Sequence, residues 1–184
     1  APRFSAAVTE QMSRLEMAGA ELTVALERSP REQWGQGGPG RVELMYRPGA
    51  GLTARPLRRI ASGGEVSRVM LACKVVLGNA DGVDTLVFDE VDAGVGGSTA
   101  RSLAAVLADL AKTHQVIVVT HLAQVAVAGQ CHYLVSKSVG EDGRPETTLR
   151  EISGEQRVAE IARMLSGDAS DISLAHAREL LSEA

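Results

Sequence analysis

The stretch LVFDEVDAGVGG, residues 86–97, sets two acids side by side after an apolar run. Asp89 and Glu90 would stand at the C-terminal end of a strand, the edge at which α/β proteins bind ligands. Adjacent strand side chains point to opposite faces, so the two carboxylates would differ in task. One can hold a hydrated Mg²⁺, because hard cations take oxygen ligands. The other can orient or deprotonate a water for attack on a γ-phosphate. Acids at strand ends are also commonly just solvated, and this pair alone does not separate the two readings. Asp92 and the glycines at 94, 96 and 97 make a turn into the next helix.

A second stretch, RRIASGGEVSR at 58–68, places Ser62, Gly63, Gly64 and Glu65 before an apolar helical run. Ser62 and Glu65 have the spacing of a capping box, in which each side chain satisfies a backbone N–H of the first turn. Capping explains those two residues but not the glycines, which weaken a helix start. Paired glycines make sense if something must approach the backbone closely. A helix N-terminus with exposed N–H groups and a serine hydroxyl is a natural phosphate site. The third stretch is VIVVTHLAQVA, residues 116–126, where His121 directly follows an apolar strand. Near a phosphate, its imidazole can donate a hydrogen bond to the γ-phosphate and sense its loss. A lone histidine there is otherwise a plain polar residue. Each signal is modest, and their order along one sheet edge is what chance and capping do not explain.

Those residues need elements to hold them. Phe4, Val8, Met12 and Leu15 form one apolar stripe and predict a helix over 4–17. Leu22, Val24 and Leu26 alternate with polar or small residues and predict a half-buried strand, and Val42, Leu44 and Tyr46 predict a second. The stretch SPREQWGQGGPG between them predicts a mobile surface loop, with Trp34 a partly exposed packing residue. Helices are predicted at 62–77, 98–112, 122–128, 156–165 and 172–181. Strand-like runs lie at 84–89, 115–120 and 131–136, with a turn at 140–145 and an edge strand at 147–152. Apolar strands alternating with helices predict the α/β class, with a mostly parallel sheet flanked by helices, a small β segment and an N-terminal helix stub.

The bulk numbers exclude several classes. The 184 residues are 45% hydrophobic and only 3% aromatic, so the core is aliphatic. A net charge of −4 gives no general nucleic-acid signature, so any DNA contact needs a local patch or another part of a larger molecule. Cys73 and Cys131 lack metal-type spacing and read as reduced core cysteines of a cytoplasmic protein. Apolar runs are too short to span a membrane, and none reads as a signal peptide. The chain begins at Ala1, which fits either removal of Met or a cut from something longer.

The three motifs together resemble those of the ABC-type ATPases. Ser62 to Glu65 resembles the signature motif, Leu86 to Glu90 the Walker B strand, Asp92 to Gly97 the D-loop, and His121 the switch histidine. Over roughly residues 4–166, with most weight in 57–137, the text resembles the C-terminal part of the RecN family of SMC-like coiled-coil ATPases. Ala61 stands where many ABC-type members have Leu, a departure that RecN-like sequences tolerate. The pattern G-x-x-x-x-G-K-[ST] occurs nowhere, and GQGGPG at 35–40 lacks the Lys and hydroxyl that a phosphate loop needs.

What the resemblance implies is specific. The whole chain would be the C-terminal lobe of an ATPase head. Residues 1–19 would end a coiled-coil helix, 20–57 form a β segment, and 58–184 carry the motifs. ATP and Mg²⁺ would be held by an N-terminal lobe bearing Walker A. Asp89 would support the Mg²⁺, Glu90 would act as base or water-orienting residue, and His121 would contact the γ-phosphate. Ser62, Gly63, Gly64 and Glu65 would serve the ATP of an opposing head in a homodimer, with Asp92 at that interface. The family role implied is DNA double-strand break repair by recombination, with DNA met through the full-length protein, in the cytoplasm at the nucleoid and without a membrane. Two alternatives stay open: a transporter-type ATPase subunit, and a non-catalytic docking or DNA-bridging module of the same fold.

Overall fold

The computed structural model describes residues 1–36, 38–139 and 143–183, with Asn79 and Asp81 described by backbone alone. The chain divides into two compact units, one of residues 1–95 and 109–119 and the other of 96–108 and 120–184.

The first unit opens with helix α1, Pro2–Arg14. Its predicted stripe is buried at Val8, Met12 and Leu15, with Phe4 half-buried. The helix stops short of the predicted Met17 because Glu16 takes a left-handed backbone, φ 56°, and Gly19 follows at φ 77°. Strand β1, Glu21–Arg28, pairs antiparallel with β2, Gly40–Arg47. The two predicted apolar faces meet in register, with Leu22 opposite Tyr46, Val24 opposite Leu44 and Leu26 opposite Val42. Burial fades along this ladder: Leu22 and Tyr46 are buried, whereas Leu26 and Val42 are exposed. In the intervening loop, the Trp34 indole donates to the Ser29 carbonyl and lies under Arg31, half in solvent. A two-residue strand β3, Arg55–Pro56, adds to β2.

Helix α2, Gly63–Leu77, begins at Ser62 and packs against α1. Its Val69, Leu71, Ala72 and Cys73 are buried. Burial pushes the Cys73 thiol up to about 11, which keeps it protonated and inert. Strand β4, Thr85–Phe88, pairs in parallel with β5, Gln115–Val118, from Thr85 opposite Gln115 to Phe88 opposite Val118. Leu86 and Phe88 are buried, while Val87 and Ile117 on the other face lie open.

The second unit holds most of helix α3, Gly97–Leu110, whose Leu103, Val106, Leu107 and Leu110 are buried as the periodicity predicts. Helix α4 is short, Ala123–Ala126. Strands β6, His132–Val139, and β7, Pro145–Ile152, pair antiparallel. Helices α5, Gly154–Ser166, and α6, Asp171–Glu183, form the unit's apolar core with α4 through Ala123, Val158, Ile161, Ala162 and Ala177.

The α/β class stands, but the parallel pairing is confined to β4 and β5 among the described residues. The run at 131–136 belongs instead to a hairpin with the predicted edge strand 147–152, and the turn between them lies partly outside the described residues. Its apolar alternation does not signal two covered faces: Tyr133, Val135 and Val139 are exposed. Cys131, read as a core residue, is exposed because it leads into this uncovered hairpin.

Candidate functional site

Helix α2 starts where it does because Ser62 has extended backbone and its Oγ accepts the Glu65 N–H at 3.4 Å. The cap leaves the first turn exposed at Ser62 and Gly63. This turn sits on the turn that follows β4. A Cβ on Gly63 would lie 2.4 Å from Glu90 Oε2, and one on Gly64 would lie 2.9 Å from both the Cβ and the carbonyl of Ala93. Gly64 is therefore required by the protein's own packing, whereas at Gly63 only the movable end of the Glu90 side chain intrudes, a distinction the sequence does not reveal.

The turn after β4 is tightly held. The Ala93 N–H donates to Glu90 O at 3.0 Å and the Val95 N–H to Asp92 O at 3.1 Å. Asp89 Oδ1 accepts the Glu90 N–H at 2.9 Å. Glu90 has a left-handed backbone, φ 54°, which is uncommon for a residue with a side chain and clusters at functional sites. Asp92 is buried, whereas Asp89 and Glu90 are exposed.

Ser67 and Arg68, on the next part of α2, carry roles that sequence reading missed. Ser67 Oγ donates to the Asp89 carbonyl at 2.9 Å. Arg68 Nη1 donates to the carbonyls of Val91 at 3.2 Å and Ala93 at 2.8 Å. Arg68 stands close to Ser62–Glu65 in sequence, and here it fixes backbone. Arg58 is likewise engaged, forking onto Glu43 at 3.0 and 2.9 Å, and this pairing lowers the Glu43 carboxyl. Beneath the site, burial and the nearby Glu65 charge raise the Tyr46 hydroxyl.

The first unit thus brings together Ser62, Gly63, Gly64, Glu65, Asp89, Glu90 and Asp92. His121 belongs to the second unit. It is exposed in the turn entering α4, where Thr120 Oγ1 accepts the Leu122 N–H at 3.0 Å. Among the described residues, no group of three or more His, Cys, Asp or Glu side chains is placed so that it could hold a metal ion by itself. A hard cation leaning on Asp89 would keep most of its water and lean also on substrate phosphates. That manner of binding suits Mg²⁺, and the exposed carboxylate donors fit it. Among the described residues, no helix is long and apolar enough to cross a membrane.

No family model matches the chain. The DNA repair protein RecN of Treponema pallidum is 46% identical over 187 residues, covering 98% of this chain and 32% of that protein. RecN of Mycobacterium leprae is 45% identical over 203 residues, covering 100% and 34%. RecN of Deinococcus radiodurans is 54% identical over 140 residues, covering 76% and 24%. The chain spans about a third of the length of the first two. Among solved structures, the Smc head domain of Pyrococcus yayanosii superposes with a TM-score of 0.59 at 19% identity, covering 98% of this chain and 28% of that one. The Smc head of Pyrococcus furiosus, bound to the C-terminal domain of ScpA, gives 0.56 at 21%, covering 87% and 37%. At such identities these likenesses establish the fold alone, an SMC-type head. With 46% and 45% identity over 98% and 100% of its own length, the chain belongs to the RecN family, matching the C-terminal portion of those DNA repair proteins.

Proposed function

We propose that this chain supplies the signature, Walker B, D-loop and switch-histidine part of an ATP-hydrolysing head that acts in DNA double-strand break repair and recombination. The observation that carries the reading is the seating of the α2 N-terminus on the Asp89–Ala93 turn. It sets phosphate-type donors and two exposed carboxylates in one compact unit.

A complementary lobe would supply the Walker A loop that this sequence lacks. Asp89 would hold Mg²⁺ through water, and the ion when bound would neutralise charge on the β- and γ-phosphate oxygens. Glu90 would accept a proton from the attacking water. As the water oxygen bonds to the γ-phosphorus, the bond to the β–γ bridging oxygen breaks, and ADP leaves with that electron pair. His121 would donate to a γ-phosphate oxygen. Ser62 Oγ and the N–H groups of Gly63 and Gly64 would face the γ-phosphate on an opposing head, with the Glu65 N–H holding Ser62 Oγ in place and Asp92 in the turn at that interface. Loss of the shared phosphate would then release the pair. The cytoplasm, at the nucleoid, is the proposed setting.

The test is ATP turnover by this chain alone and mixed with the Walker A lobe. Silence alone and activity when mixed are expected. Glu90→Gln should lower the mixed turnover about 100-fold or more, in the range for loss of a general base, and should accumulate ATP-bound dimers. Turnover by the chain alone, or survival of turnover in Glu90→Gln, would sink the assignment. A mixture that pairs with its lobe but never hydrolyses would favour the docking-module reading.

A further inference from the structure

We propose that Arg157 is a positioning residue for His121, acting through α4; the inference rests on the reading of His121 as a γ-phosphate contact. Helix α4 has only four residues, too few to hold itself. Its N-terminal side is tied by Thr120, whose Oγ1 accepts the Leu122 N–H at 3.0 Å on the far side of His121. Its C-terminal side is tied by one side chain from α5. Arg157 Nη2 reaches the carbonyls of Ala126 at 3.3 Å, Val127 at 3.0 Å and Gly129 at 2.6 Å. A cation there also opposes the negative end of the helix.

The arrangement is costly. Arg157 Nε is buried without a hydrogen-bond partner, as is His132 Nδ1 on β6. An unmet buried donor is unfavourable, and apolar packing between α4 and α5 already comes from Ala123, Val158 and Ile161. A charged side chain that reaches the last residue of α4, its C-cap and Gly129 just beyond fixes the end of that helix rather than merely packing it. His121 enters α4 only one residue before its N-cap, Leu122, so the angle of α4 sets where the imidazole stands.

A double-mutant cycle on ATP turnover by the complete head, this chain with its Walker A lobe, decides the matter. Arg157→Ala should lower kcat about tenfold with KM for ATP moving less than about twofold, because the loss falls on transition-state contacts. In a His121→Ala background, the same change should cost less than about twofold. Arg157→Lys should restore most of kcat, since an ammonium still opposes the helix end, and Arg157→Met, which keeps the aliphatic stem and removes the donors to the three carbonyls, carries the cycle if the alanine variant does not fold. Equal losses in both backgrounds would overturn the proposal and leave Arg157 as fold support. Unchanged turnover in His121→Ala would instead overturn the reading of His121 on which the proposal stands.

Discussion

Gly63 and Gly64 look alike in sequence, yet the structure gives them different neighbours. At Gly64 the obstacle is Ala93, including its backbone carbonyl, and backbone cannot swing away. At Gly63 the obstacle is the far end of the Glu90 side chain, which can rotate. Gly64→Ala should therefore destabilise the first unit by about 1–3 kcal/mol through overpacking, less about 1 kcal/mol regained from helix propensity. Gly63→Ala should leave the melting temperature nearly unchanged while displacing the Glu90 carboxylate and lowering turnover of the complete head. Thermal melts and turnover on both variants check this. A Gly63→Ala protein that melts early but turns over normally would contradict the packing argument. The need for glycine was legible in the sequence, because a capped helix start has no use for two of them. The identity of what crowds them was not, since Glu90 and Ala93 lie more than 25 positions away.

Helix α2 links the site at the scale of elements. Its first turn meets the Glu90–Ala93 turn through glycines, and its next residues grip the same turn through Ser67 and Arg68. Arg68→Met keeps the aliphatic stem and removes both carbonyl contacts. The loss of charged hydrogen bonds should cost about 1.5–3 kcal/mol, read as a lower midpoint in denaturant. It should also raise amide exchange at Ala93 and Val95, whose N–H groups close the turn. Unaltered exchange there would mean the turn holds itself. Helices and strands were legible because periodicity is local: the stripe of α3 and the facing alternation of β1 and β2 appear as read. Sheet membership was not. The same β-branched run serves a parallel ladder or an exposed hairpin, and only the partner strand decides. Arg68 and Arg157 escaped for a related reason, since a side chain that caps a distant backbone leaves no mark at its own position.

For the molecule as a whole, the parallel pair β4–β5 is the anomaly. Parallel sheets are buried on both faces, and a two-stranded sheet is marginal by itself. Here one face covers Leu86 and Phe88, while Val87 at 65%, Ile117 at 47% and Val119 at 56% face solvent. The chain also spans only about a third of its relatives' length and lacks a phosphate loop. On the function proposed above, a lobe bearing Walker A would cover this face. Burying what remains exposed of those three side chains would contribute roughly 1–2 kcal/mol each, enough to matter for association. Val87→Lys with Ile117→Lys should leave the melting temperature of this chain within a few degrees, because both residues are already exposed. The same pair should weaken binding to the lobe at least 100-fold, measured by calorimetry, and abolish mixed turnover. Lysine at Leu26 and Val42, exposed on the β1–β2 ladder, is the matched control and should change neither. Undiminished binding by the Val87 and Ile117 variant would place the lobe elsewhere, and equal loss from the control would show that added charge, not the covered face, is responsible.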